Sequence, residues 1–122
     1  MSATIKKETD DLIVISIEGV LEYNDLNQVE KGISSAIDRS RKVKLLALAE
    51  SFLGWGEEGD WEDMSFMLEH DHYIEKIAIV AEEKWRGETL MFLGAGMRRA
   101  QVMIFQPGET DKARQWLYGE NP

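Results

Sequence analysis

Two short apolar runs constrain this chain more than any other feature. Leu45-Leu46-Ala47-Leu48-Ala49 and Ile77-Ala78-Ile79-Val80-Ala81 contain no polar side chain. Successive side chains of a strand point to opposite faces, so a strand with one wet face alternates apolar and polar residues. A strand without that alternation is covered on both faces, as in a parallel sheet flanked by helices. Both runs are far shorter than the roughly 20 apolar residues a membrane-spanning helix needs. The stretch Met1-Ser2-Ala3-Thr4-Ile5-Lys6-Lys7 has no apolar segment with a small-residue cleavage site, so a cytoplasmic location is expected.

The segments around these runs supply the rest of the architecture. Residues 3–8 read as an edge strand, with Lys6 and Lys7 suited to an exposed edge. Residues 12–18 are β-branched and run to Gly19, and Asp10-Asp11 reads as the hairpin turn between the two. A helix follows with Asn24 as its expected N-cap, and Leu26, Val29, Ile33, Ala36 and Ile37 form a single stripe. Residues 42–49 form the third strand. The segment Glu50 to Gly59 reads as a loop, and its Gly54, Gly56 and Gly59 as a hinge. A second helix is expected from about Asp60 to Glu69, a fourth strand at 76–81, and a third helix over about 84–93. A fifth strand at 101–105 and a final helix over about 110–118 complete the chain. The order β-β-α-β-α-β-α-β-α predicts a single α/β domain over 1–122, with a five-stranded, mixed, mostly parallel sheet and four helices.

That element order, the helix after Gly19-Val20-Leu21-Glu22-Tyr23, and the stretch Phe52-Leu53-Gly54-Trp55 followed by Asp60-Trp61 resemble the SpoIIAA-like proteins. Those are relatives of STAS domains, with a fold shared by lipid-carrying CRAL-TRIO domains. The resemblance covers nearly the whole chain. It implies a bacterial, non-enzymatic carrier or interaction module. One feature of the group is missing. The phosphorylatable Ser of its anti-sigma-factor antagonists lies after the third strand and opens the next helix. Here Ser51 comes too early and stands beside bulky Phe52, so the phospho-switch role is not supported.

Composition narrows the function. With 14 Lys+Arg against 23 Asp+Glu the net charge is −9, which argues against nucleic acid, whose binding draws on neutralised phosphates. With no Cys, thiol catalysis, disulfides and Cys-based metal sites are excluded. The large apolar side chains are unevenly placed. In helix two, Trp61, Met64 and Leu68 make one stripe, which leaves Phe66 and Met67 outside it. In helix three, Trp85, Thr89, Phe92 and Leu93 share one face while Leu90, Met91 and Met97 lie on another. With Trp55 in the preceding loop, these residues form the candidate site for a nonpolar, lipid-like ligand, gated by helices two and three. Met is adaptable and Trp amphipathic, which suits them to such a site. The glycines around the helices and Gly87 within helix three would let them move. The alternatives are packing of the two helices on each other, reversible membrane contact, or a STAS-type protein-interaction module, as monomer or homodimer. Between Ser51 and Glu75 stand eight acids and no Lys or Arg, so helix two is a poor electrostatic membrane anchor.

Catalytic motifs are weak. His70 and His72 would share a side in an extended segment and could bind a metal, but no third ligand is fixed, so no metal site is assigned. Gly94-Ala95-Gly96 follows a helix, so it is not a dinucleotide fingerprint. The acids Glu57, Glu58 and Asp60 would repel a phosphate from the glycine-rich loop. No residue is assigned a catalytic role and no cofactor is expected.

Overall fold

The doubly apolar runs sit at the centre of one sheet. A computed structural model describes residues 3–37, 42–57, 59, 71–92 and 100–119. Its strands are β1 (Ala3–Thr9), β2 (Leu12–Leu21), β3 (Val43–Trp55), β4 (Ile74–Ala81) and β5 (Gln101–Phe105). They lie side by side in chain order. β1 pairs antiparallel with β2 through the expected hairpin, and β2, β3, β4 and β5 are parallel. The mixed, mostly parallel α/β sheet is therefore as the sequence predicts.

Three α-helices are present among the described residues, against the four expected: α1 (Tyr23–Ala36), α2 (Arg86–Phe92) and α3 (Thr110–Leu117). The span expected for the other helix, 60–69, lies outside the described residues. Other boundaries also differ. α1 begins one residue before Asn24; its N-cap is Glu22, with no side-chain cap bond. The helix expected at 84–93 opens with a 3-10 turn, Glu83–Trp85, before α2. β2 continues past Gly19 to Leu21, and β3 continues to Trp55 instead of ending at Ala49. Two register shifts along this pair let the extra residues of β3 stay hydrogen-bonded to β2.

Each face of the sheet has its own core. On the first, Ile13, Ile15, Leu45, Ala47, Ile77 and Ile79 meet Val29 and Ile33 of α1. On the second, Leu12, Val14, Leu46, Ala78, Val80 and Phe105 meet Ala113, Trp116 and Leu117 of α3. The uninterrupted runs thus feed alternate side chains to two cores. The two faces of β3 and β4 are buried for different helices.

Ion pairs fix α3 and the hairpin at one end of the sheet. Lys44 and Lys76 are register partners on β3 and β4. Lys76 Nζ donates to the Trp116 carbonyl at 2.8 Å and lies 4.9 Å from the Trp116 ring centroid. A cation there complements the exposed carbonyls at the helix C-terminus. Lys44 Nζ bridges Asp11 at 3.2 Å and Glu75 at 3.1 Å. Arg114 binds Glu8 through both terminal guanidinium nitrogens, Nη1 and Nη2, tying α3 to β1. The bond from Arg114 holds the Glu8 carboxyl below its ordinary range. Bonds from Thr9 and Lys44 do the same for Asp11.

These depressed values set the acid response. Each carboxylate contributes stability that is fully present above the unfolded pKa of about 4 and is lost as pH falls through the folded value. Stability is therefore expected to drop on acidification below about pH 4. Glu8→Gln combined with Asp11→Asn should flatten that drop, read from denaturant midpoints at about pH 3 and about pH 7. An unchanged acid dependence in the double variant would contradict the assignment.

Candidate functional site

The C-terminal end of β3 carries the aromatic part of the candidate site. Phe52 is 4% exposed and faces the first core. The Trp55 ring packs edge-on against it at 5.1 Å, and the Trp85 ring at 4.9 Å. Edge-to-face pairs at such separations are favourable beyond their buried area. Both indoles are also hydrogen-bonded. Trp85 Nε1 donates to the Phe52 carbonyl at 3.1 Å, and Trp55 Nε1 donates to Glu88 Oε2 at 3.1 Å. One bond runs from the turn before α2 to β3, and the other from β3 to α2. The two-turn helix α2 is therefore fastened to the strand by reciprocal bonds.

The predicted residues divide into three groups. Trp55, Trp85 and Leu90 are each partly buried against the first core, and Trp55 and Trp85 both pack edge-on against Phe52. Met91 points outward and is 82% exposed. Phe92 ends α2. Trp61, Met64, Phe66, Met67, Leu68, Leu93 and Met97 lie outside the described residues, as does His70. His72 is exposed within a 3-10 turn, Asp71–Tyr73, and not in an extended segment, and its ring lies 4.0 Å from that of Tyr73. Among the described residues, no group of three His, Cys, Asp or Glu side chains is placed to hold a metal ion.

Sequence reasoning missed Phe52, Glu88, Val20 and Leu53 as candidate residues. The signal for Phe52 was present in its spacing of three from Trp55, but the segment read as loop because of its glycines. Thr89 is buried under α2, as expected from its place beside Trp85. Val20 and Leu53 are 42% and 65% exposed. Ser51 sits in β3 next to the buried Phe52, and not at the start of a helix.

Of the glycines read as a hinge, Gly54 is set by its backbone conformation and Gly59 by close approach as well. Gly54 has φ +127° and lies under the Trp85 ring, whose nearest carbon would be 3.4 Å from an added Cβ. Gly59 has φ +117°, and a Cβ there would stand 2.2 Å from the Tyr23 ring carbon Cγ. Gly87 differs: a Cβ would meet nothing within 4 Å, and it is exposed in α2.

A mixed five-stranded sheet with α1 and α2 on one face and α3 on the other defines a class of small α/β domains, and the comparisons place the chain within it. The SpoIIAA-like family model matches residues 12–118. The chain belongs to the SpoIIAA-like family. An uncharacterised protein with a SpoIIAA-like fold from Shewanella loihica PV-4 is similar in structure, with TM-score 0.70 and 18% identity over 94% of this chain and 91% of that one. The anti-sigma factor antagonist SpoIIAA in its unphosphorylated form gives TM-score 0.64 and 15% identity over 98% and 99% of the two chains. The Bacillus cell fate determinant SpoIIAA in its phosphorylated form gives 0.56 and 19% over 90% and 96%. At these identities the likeness is one of fold. A search of curated protein sequences gives no match. Among the described residues, no helix is long and apolar enough to cross a membrane.

Three substitutions test the geometry by equilibrium denaturation. Gly59→Ala should destabilise by on the order of 2 kcal/mol, through the Tyr23 clash and its positive φ. Gly87→Ala should stabilise by about 0.5–1 kcal/mol, since α2 gains a better helix former with no steric cost. Trp85→Phe should cost roughly 1–2 kcal/mol, by removing the donor to Phe52. A stabilised Gly59→Ala, or a Trp85→Phe variant as stable as the parent, would contradict these contacts.

Proposed function

We propose that this chain is a non-enzymatic protein-interaction or regulatory module of the STAS kind, contacting its partner through the outer side of α2. The observation that carries this reading is Met91: a flexible apolar side chain, 82% exposed, on a helix fastened from its other side by two indole bonds. A rigidly presented Met is suited to an adaptable protein contact. The fold likeness to an anti-sigma factor antagonist supports the same class. Ser51 does not provide the switch of that group, so regulation by a phosphate at that position is not part of the reading.

A second reading is the carrier: a nonpolar, lipid-like molecule held at Trp55, Trp85 and Leu90, with reversible membrane contact. The aromatic cluster favours it by its chemistry. The packing of Phe52 and the bonded state of both indoles favour the interaction module, because a carrier must separate α2 from β3 to admit its cargo.

The two readings part in one experiment. Affinity capture from the source cells with the parent chain and with Met91→Lys should retain a partner on the parent and lose it on the variant, whose fold is unaffected because the side chain is exposed. Native mass spectrometry of the same preparation reads the carrier. A bound apolar molecule, together with identical capture by both chains, would overturn the interaction reading in favour of the carrier.

A further inference from the structure

The chain holds six Met and no Cys, so thioethers are its only sulfur groups open to reversible oxidation. A thioether reacts where peroxide reaches the sulfur, and a packed side chain is reached only when its surroundings open. Met91 and Met103 are the methionines among the described residues. Met103, in β5, is partly buried against the second core. Met91, in α2, is 82% exposed.

The turn before Met91 adds a second observation. Long side chains of a helix lean back over the residues three and four positions earlier. For Met91 these are Glu88 and Gly87. Gly87 is exposed, and a Cβ there would meet nothing within 4 Å. Glu88 Oε2 accepts the Trp55 indole N–H at 3.1 Å. Of the two residues placed to screen the sulfur, one has no side chain and the other is engaged by β3. The groups that fasten α2 are different ones. They are the Trp85 indole on the Phe52 carbonyl, the Trp55 indole on Glu88, the buried Thr89 and the partly buried Leu90. Neither indole bond uses the Met91 side chain, so an oxygen added to its sulfur leaves both intact.

We propose that Met91 is a site of reversible oxidation by hydroperoxides, and that its sulfoxide switches off the contact at α2 while the fold stands. The sulfur lone pair attacks one peroxide oxygen, so that an S–O bond forms and the O–O bond breaks. The proton of the new S–OH group passes to the departing oxygen, which leaves as water, or as an alcohol from an organic hydroperoxide. Sulfur gives up two electrons and the peroxide takes them. In the return step two thiols supply two electrons and two protons, the sulfoxide oxygen leaves as water, and a disulfide remains. This chain has no Cys, so that dithiol belongs to a separate reductase. Oxidation makes a flexible apolar side chain polar, which removes what suits Met91 to an apolar contact. The switching half rests on the interaction reading above, and the modification half does not.

The probe is hydrogen peroxide. The full chain is treated for graded times, and peptide mapping by mass spectrometry reads the sulfoxide at each Met. Met91 should oxidise at about the rate of free methionine, and about fivefold or more faster than Met103. Where Met91 is oxidised and Met103 is not, the denaturant midpoint should match that of the untreated chain. Methionine sulfoxide reductases for both epimers, supplied with dithiothreitol, should restore the thioether. Partner capture should be lost on oxidation, regained on reduction, and kept in Met91→Leu treated alongside, which carries the other methionines. Equal rates at Met91 and Met103, unfolding that follows oxidation of Met91, or a sulfoxide that the reductases leave in place would each overturn the site. Capture that oxidation leaves unchanged would overturn the switch. If the untreated chain captures nothing, the interaction reading and the switch fail together, and the rates at Met91 and Met103 still decide the site.

Discussion

Strands β3 and β4 must be covered on both faces before anything else in this fold can be arranged. Leu46, Ala78 and Val80 go to one core, and Leu45, Ala47, Ile77 and Ile79 to the other. No single layer of helices can bury both sets. α1 and α2 serve one face and α3 the other. The bonds made by Lys44, Lys76 and Arg114 act within that arrangement. Lys76, through the Trp116 carbonyl and ring, and Arg114, through Glu8, hold α3 at one end of the sheet, while Lys44 ties the hairpin to β4.

The end of β3 carries the other consequence. The strand runs on past its doubly buried part, and its final residues Phe52, Gly54 and Trp55 become a platform for α2. Edge-on rings and two indole bonds do for this short helix what a longer apolar stripe would otherwise do. A seven-residue helix has little intrinsic stability in water. Its position depends on what it is tied to, and its outward side chain, Met91, is presented by that tie.

Much of the fold was legible in the sequence. The doubly apolar runs identified the parallel strands because no other element needs apolar side chains on both faces. Residues 101–105 were placed as the fifth strand without error, and the stripe of Ala113, Trp116 and Leu117 marked the helix that closes the second core. The end of β3 was not legible. Three glycines in the segment 54–59 signal a loop, yet Gly54 is inside a strand, where its φ of +127° favours glycine. Local composition cannot distinguish a glycine that loosens a loop from one that holds a strand residue at positive φ. The candidate site was legible as a cluster of residue types and not as a geometry. Trp55 and Trp85 meet on Phe52, whereas Met91 is exposed.

The proposed contact through Met91 requires α2 to be a fixed platform and not a gate. Hydrogen exchange of the Trp85 indole N–H in the native protein tests this most directly. If α2 stays fastened, that proton exchanges only through openings close in free energy to global unfolding, alongside the slow amides of β3 and β4. Exchange near the rate of a free indole, with β3 and β4 still protected, would show that α2 opens independently, and the fixed-platform account would fail.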